Sequence, residues 1–383
     1  MQKNDNNKKA IALHKKLRGK IRIMPAVPVK DRPMLSLVYT PGVAAVSSLI
    51  SKASYTKQAK LAGDYTIKGR MIAVISDGTA VLGLGNIGPY GALPVMEGKA
   101  ALFKTFADVD AFPIVLDTKS VDEVVETVLR IAPAFGGINL EDFKAPECFE
   151  IEERIKAALD IPVMHDDQHG TAIAVLAALI NAAKVVKKDL KKLKVVISGA
   201  GAAGTAIAKL FAKAGIKDII VLDSKGIIDD SRKEPHKKEL AKVSNPRKLA
   251  GGLEEAMMGA DAFIGVSGPK LMGAKEVALM AQKAIVFAMA NPVPEIMPEE
   301  ALKGGAAVVG TGRSDYPNQI NNSLVFPGVF RGALDNRVSK ITDEMKLKAA
   351  KSLAALVKKP TAQKIVPGAF EKGVSQAVAK AIK

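Results

Sequence analysis

The sequence predicts an α/β protein: an N-terminal α/β domain over residues 1–160, then over 161–383 a doubly wound, parallel-sheet domain that ends in helices. Three observations lead there. The chain has 383 residues, enough for two or three domains of roughly 150 residues, each with its own core. Apolar runs alternate with helical patterns from end to end, which marks βαβ units rather than separate α and β blocks. In the second half those runs are almost uninterrupted, as strands buried on both faces are.

The elements follow in order. A basic helix is expected at about Asn7 to Arg18. Strands are expected at Met71 to Ser76, Ala80 to Leu84, Ile114 to Leu116 and Gly137 to Leu140, with helices at about Glu97 to Phe106 and Val121 to Ile131 between them. A helix at Ile151 to Leu159 leads to a strand at Ile161 to Met164, a domain boundary near Asp160 and a small-residue helix at Thr171 to Val186. Strands then recur at Lys194 to Ser198, Asp218 to Leu222, Asp261 to Val266, Ala284 to Ala290 and Ala307 to Gly310. Two amphipathic helices, Glu344 to Val357 and Phe370 to Ile382, close the chain.

Composition narrows the function classes. A hydrophobic content of 48% with 32 Gly and 20 Pro is globular material and excludes disorder and collagen-like repeats. The single cysteine, Cys148, has no intramolecular partner, and the longest charge-free apolar run, Ala172 to Ala183, falls short of the ~18 residues of a spanning helix. A soluble, cytoplasmic protein with no membrane partner is expected. The net charge of +17 sits at the ends, about +8 in residues 1–32 and +8 in residues 346–383. No aromatic residues interleave with those lysines as a base-stacking surface requires, so a solvated surface is expected and nucleic-acid binding is not.

Two G-x-G-x-x-G matches occur. Gly199, Gly201 and Gly204 follow an apolar strand, open a helix at Thr205 and precede a second strand ending at Asp223. That context is a dinucleotide-binding fingerprint: the glycines, with Ala202 and Ala203 between them, let the backbone approach a pyrophosphate at the helix N-terminus. NAD or NADP is expected. Asp223 suits a ribose hydroxyl, whereas Ser224, Lys225, Arg232 and Lys233 could meet a 2′-phosphate, so both coenzymes stay open. Gly83, Gly85 and Gly88 form the other match, but Pro89 and Pro94 are expected to delay any helix, which reads as a tight loop lining a cleft.

Acids just beyond strand ends lie where open α/β sheets bind ligands. Glu141 and Asp142 follow Gly137 to Leu140; Asp166 and Asp167 follow Ile161 to Met164. Brought together they would repel without a cation, and an all-oxygen set suits Mg²⁺ or Mn²⁺. The alternative is that Asp166 and Asp167 only cap the next helix. His165 and His169 stand four apart, but in a segment read as preceding the helix and without a third zinc ligand, so packing or supporting roles are expected. Tyr39, held by the Thr40-Pro41-Gly42 turn, and Lys99, near a helix start, are acid and base candidates. A basic lysine needs its pKa lowered by about three units, through burial or a nearby cation.

Taken in order, YTPGVA (39–44), GLGNIG (83–88), PVMEGKA (94–100), NLEDF (139–143), HDDQHGTA (165–172), SGAGAAG (198–204), ANPVPEI (290–296) and PNQINN (317–322) resemble a malic enzyme of the short prokaryotic type. The resemblance runs from about residue 14 to 330. It implies oxidation of L-malate at C2 and decarboxylation to pyruvate and CO₂, with NAD⁺ or NADP⁺ reduced. It implies Lys99 as general base, Tyr39 as acid, Asp166 as a neighbouring acid that tunes the site, and Glu141, Asp142 and Asp167 as Mn²⁺ or Mg²⁺ ligands. Gly199, Gly201, Ala202, Ala203, Gly204, Asp223 and Ser224 would hold coenzyme, and Asn291 and Asn321 would contact substrate or nicotinamide. A malolactic enzyme carries the same motifs but retains its coenzyme and makes lactate. Longer members clamp a malate carboxylate with an arginine where Ala80 stands; loop N–H groups could replace it. A homodimer is expected, with Tyr39 and Lys99 of one site drawn from different subunits.

Overall fold

The computed structural model describes residues 2–81 and 83–383, with side chains from Asn6 onward. Four helices precede the first strand: α1 (Gln2–Leu17), α2 (Arg32–Val38), α3 (Val43–Ser51) and α4 (Tyr55–Tyr65). Only α1 was expected from the sequence. Asp31 caps α2 by accepting the Met34 N–H at 2.8 Å, but α2, α3 and α4 bury no residue.

The first sheet contains β1 (Met71–Ser76), β2 (Asp110–Val115), β3 (Gly137–Leu140) and β4 (Val163–His165), all parallel in the order β2-β1-β3-β4. Its crossovers are α5 (Gly88–Ala107), α6 (Val121–Ile131) and α7 (Glu147–Ala158). Because β4 pairs with β3, this sheet's last strand lies beyond residue 160. The strand expected at Ala80 to Leu84 is instead a tight loop in which Val81 bridges Gly85; Leu82 lies outside the described residues. Prolines do not delay α5, which begins at Gly88, nine residues before the expected start. Pro89 sits in the first turn, where a missing N–H costs nothing. Pro94 lies inside the helix, and the Lys20 ammonium donates to its carbonyl at 2.5 Å.

α8 (Asp166–Val186) follows β4 directly, five residues before the expected start. HDDQHGTA therefore forms the opening turns of the helix rather than a lead into it. Carboxylates at Asp166 and Asp167 suit the positive end of the helix. Gly170 is needed because a Cβ there would collide with the Asp166 carboxylate.

The second sheet contains β5 (Lys194–Ser198), β6 (Asp218–Asp223), β7 (Gly226–Ile227), β8 (Ala262–Gly265), β9 (Ala284–Ala288) and β10 (Ala306–Thr311). Their order is β10-β9-β8-β5-β6-β7, parallel except for β7. α9 (Ala202–Lys213) follows β5. Strand order reverses between β5 and β8, the position at which doubly wound sheets open a crevice.

The two halves share a core. Phe103 on α5 meets Phe326 and Phe330 at ring-centroid distances of 4.7 and 5.5 Å, so a helix from beyond the second sheet, Phe326–Asp335, packs on the first domain. Buried Asn181 on α8 donates to the Ala354 and Ile365 carbonyls at 2.8 and 2.9 Å, tying the C-terminal region to the same spine. The closing helices are Asp343–Ala355 and a short Val374–Ala379. By length and hydropathy, Arg32–Ser51 and Asp166–Val186 could cross a membrane, but most of the second is buried inside the protein. Phe103 is fully buried, and Phe103→Ala is expected to cost about 3–5 kcal/mol of stability, read as a lower midpoint in urea unfolding followed by circular dichroism.

Candidate active site

The carboxyl ends of both sheets face one cleft of about 630 Å³. The first domain contributes Thr79 to Val81, Gly83, Gly85 and Asp142 to Ala145; the second contributes Gly201 to Ala203, Val266 to Pro269, Asn291 and Asn321. Asp167 and Thr171 on α8 form the wall between them.

Glu141 and Asp142 leave the end of β3 as Asp167 enters on α8, and ligand oxygens of the three lie within 4.8 Å of one another. The backbone cooperates: the Asp142 N–H donates to Asp167 at 2.8 Å, and Asp142 holds a left-handed φ of 58°. An aspartate in that conformation marks strain kept at a site. Glu141 and Asp142 are buried, and Asn139 fixes Glu141 by donating to it at 2.9 Å. Burial and then the neighbouring carboxylates push Glu141 well above its usual range and Asp142 up to about 8. Asp166, fully buried, is pushed up to about 6 by burial, and its Oδ1 has no hydrogen-bond partner. An all-oxygen set, crowded and short of positive charge, fits a hard divalent cation.

Lys99 lies beneath this cluster, mid-helix on α5 rather than near a helix start. Its ammonium contacts Asp166 at 2.5 Å and Glu141 at 2.7 Å, and rests 4.1 Å from the centre of the Phe326 ring. Burial opposes the charge, but Asp166, Glu141 and Asp167 outweigh it and raise the pKa above the ordinary lysine value. The lowering that a base requires is thus absent while the carboxylates are uncompensated. Tyr39 is 67% exposed and does not line the cleft.

In the second domain the fingerprint glycines have separate tasks. Gly199 has φ +117°, and a Cβ on Gly204 would strike the Gly199 carbonyl, whereas Gly201 faces open space where a phosphate could approach. Asp223, at the end of β6, is not free. Arg232 donates to both of its oxygens at 2.8 and 3.0 Å, Lys237 donates at 2.7 Å, and the Lys225 N–H donates at 2.8 Å. Burial works against this carboxylate's charge, but Arg232 and Lys237 hold its pKa below the usual range. Ser224 is next to it, although it does not line the cleft. Asn291 and Asn321 both line the cleft, and Asn321 also accepts the Ser323 N–H at 2.8 Å. Ala80 lines it too, and the Leu84 and Gly85 N–H groups are spent on the Val81 carbonyl rather than turned outward.

Two acids that sequence reading passed over hold the site in shape. Glu295, buried inside ANPVPEI, accepts the Ser267 and Ala290 N–H groups at 2.9 and 3.0 Å and so joins the loops after β8 and β9. Glu152 on α7 accepts the His165 N–H at 2.9 Å, the Gln168 amide at 3.2 Å, His169 Nε2 at 3.0 Å and the Lys156 ammonium at 2.5 Å. It pins the first turn of α8 from behind, where a second groove of about 750 Å³ opens on the face away from the carboxylates. The two histidines therefore serve packing: His169 supports Glu152, burial pushes its pKa down to about 4, and His165 is fully buried. Neither belongs to a metal-ligating cluster among the described residues. A run of alternating acids and apolar residues in α7 gave no sign of this; only the fold brings Glu152 to α8.

Comparison with known proteins agrees with this geometry. Residues 18–156 match the family described as "Malic enzyme, N-terminal domain", and residues 168–383 match "Malic enzyme, NAD binding domain". The chain is 54% identical over 368 residues to an NAD-dependent malic enzyme of Geobacillus stearothermophilus, covering 95% of this chain and 76% of that protein. It is 52% identical over 378 residues to a bifunctional malic/malolactic enzyme of Bacillus subtilis, covering 97% and 91%. Among solved structures, the NAD-dependent malic enzyme of Thermotoga maritima superposes with a TM-score of 0.93 at 47% identity, covering 97% of this chain and 98% of that one.

Glu152→Gln turns one acceptor into a donor against His169 and Gln168 and leaves Lys156 without its partner. A loss of about 2–4 kcal/mol in urea-unfolding stability is expected; a change under 0.5 kcal/mol would mean the pinning contributes nothing.

Proposed function

The chain belongs to the malic enzyme family, and we propose that it oxidises L-malate and decarboxylates it to pyruvate and CO₂, reducing NAD⁺ or NADP⁺, with Mn²⁺ or Mg²⁺ held by Glu141, Asp142 and Asp167. The observation that carries the reading is the meeting, in one cleft, of Asp142 and Asp167, with Glu141 clustered against them, and the Gly201–Ala203 turn of the dinucleotide fold. The cation would polarise the C2 oxygen and offset negative charge as it develops on the substrate. The coenzyme would take the hydride from C2, its pyrophosphate at the start of α9.

The protein's own groups divide the remaining work. Lys99, between Asp166 and Glu141, stands ready to receive the C2 hydroxyl proton once its carboxylate partners share their charge with a cation. Asp166, 2.5 Å from the Lys99 ammonium, sets with Glu141 how firmly that ammonium keeps its proton. Asn291 and Asn321 orient substrate and nicotinamide from the second domain. Tyr39 is assigned the proton donated to C3, and it reaches the site from a second copy of the chain. Support for that assignment lies in α2–α4, which bury nothing and expose Leu35, Leu37, Val38, Val43 and Leu49 beside Tyr39. An apolar face of that kind is covered in a stable protein, and a symmetric homodimer would cover it while delivering Tyr39. The basic ends are assigned to solvated surface, in keeping with a soluble cytoplasmic enzyme.

One relative's malolactic activity keeps a second outcome in view, in which the coenzyme stays bound and lactate is released. Absorbance at 340 nm with L-malate, MnCl₂ and either coenzyme is expected to rise, to stop with EDTA, and to match pyruvate formation. Lactate without net NADH would shift the reading to the malolactic reaction; neither product would end it. For the shared site, Tyr39→Phe and Lys99→Ala are each expected to lose at least about 100-fold in kcat. Mixing the two under subunit exchange should recover up to about a quarter of wild-type activity, the share expected from one intact site in half of the dimers. No recovery places both residues in one subunit.

A further inference from the structure

We infer that Lys144 is the substrate-carboxylate anchor of this enzyme, taking the place of the arginine that Ala80 replaces. The inference rests on the malate reading and asks what neutralises the second carboxylate of the substrate. Glu141, Asp142, Asp166 and Asp167 bring four negative charges when ionised, against one positive charge on Lys99. A divalent cation and a malate dianion then cancel each other, so the site keeps its excess of negative charge. A dicarboxylate entering it needs a cation beyond those already engaged.

Among the described residues, Lys144 is the one cation lining the cleft. Lys99 is buried and spent on two carboxylates, and Arg313 lies outside the lining, paired with Asp315. Lys144 is also correctly placed in the chain. It follows Asp142 by two residues, so its backbone is fixed by the same loop that carries two of the metal-ligand candidates. Its N–H donates to Thr79 Oγ1 at 3.0 Å, and the Ala80 N–H donates to the Asp142 carbonyl at 2.9 Å. The loop that carries Ala80 and the loop that carries Lys144 are thus bonded to each other, and both line the same cleft.

The ammonium is available. Its side chain is 48% exposed, and its ion pair, at 2.9 Å, is with half-buried Glu147 three residues on. Because the ammonium stays in contact with water, a substrate carboxylate can compete with Glu147 for it by exchanging one charge-assisted contact for another. Specificity follows from the same contact: a 2-hydroxy acid with a single carboxylate can use the cation site but gains nothing from Lys144.

The test uses the full-length enzyme with Mn²⁺, its better coenzyme and three variants. Lys144→Met is expected to raise the KM for L-malate about 10- to 100-fold, the loss of one charge-assisted hydrogen bond, with kcat changed far less. The coenzyme KM, Mn²⁺ affinity measured by electron paramagnetic resonance, and inhibition by L-lactate should stay within about twofold. Lys144→Arg should stay within about fivefold in KM for malate, because the charge is kept. Glu147→Gln, which removes only the competing carboxylate, should leave that KM unchanged or lower it. A malate KM unchanged in Lys144→Met, or raised equally in Glu147→Gln, overturns the assignment and makes the ion pair a structural feature. Wild-type protein inactive on malate would sink the malate reading itself, and this assignment with it.

Discussion

The whole arrangement depends on four carboxylates, three buried and Asp167 half-buried, gathered at one sheet edge. Like charges so placed repel strongly where water is scarce. The fold nevertheless brings them together, because β3 and β4 are neighbours in a parallel sheet and both end at the same edge. Lys99 from α5 supplies one countercharge from below. It cannot balance four: burial first, and then the neighbouring carboxylates, push Glu141, Asp142 and Asp166 above the ordinary carboxylate range. A divalent ion held here would compete with protons, and Lys99 keeps its proton through the very charges that an ion would draw off. If Lys99 is the base, metal binding and its availability would then be one equilibrium seen from two sides.

Most of the architecture was legible because buried parallel strands write themselves as apolar runs. β1, β3, β5, β6 and β9 begin where those runs begin, and the glycine fingerprint lies at the turn it implied. The misreadings share a cause: local propensity was overruled by tertiary contact. HDDQHGTA was expected to precede α8, yet it forms the opening turns of that helix, where Gly170 leaves room for the Asp166 carboxylate. Pro89 and Pro94 looked like barriers to α5, but one sits where its missing N–H is harmless and the other is tolerated in a well-packed helix. The site was legible in its acids, which sit at strand ends. Glu152 and Glu295 were illegible, since their partners are far away in the chain or lie in the backbone.

The helices before β1 were illegible for a different reason. Amphipathic periodicity signals a face buried against the same chain, and α2–α4 bury nothing within it. Their apolar side chains are strewn over a surface that one subunit leaves open, so no stripe of 3.6-residue period stands out. Tyr39 belongs to this surface, and its 67% exposure contrasts with the near-complete burial of Lys99. If these two are the proton donor and acceptor of one site, their different housing makes sense where a wall of that site arrives with a partner. Dimerisation would then be a condition of catalysis rather than an addition to it.

The same accounting of partners bears on the coenzyme. An aspartate closing the second strand of a dinucleotide fold is taken to favour NAD⁺ because a bare carboxylate accepts ribose hydroxyls and repels a 2′-phosphate. Asp223 is not bare: Arg232 and Lys237 bring two positive charges against its one. The end of β6 thus has a hydroxyl acceptor and a surplus cation side by side, and Glu234, 3.2 Å from Lys237, tempers that surplus. Were an adenosine ribose to lie there, small shifts among these four groups would tilt the balance toward either coenzyme without altering the fold. The charge to weigh is then the net charge around Asp223 and not the aspartate alone.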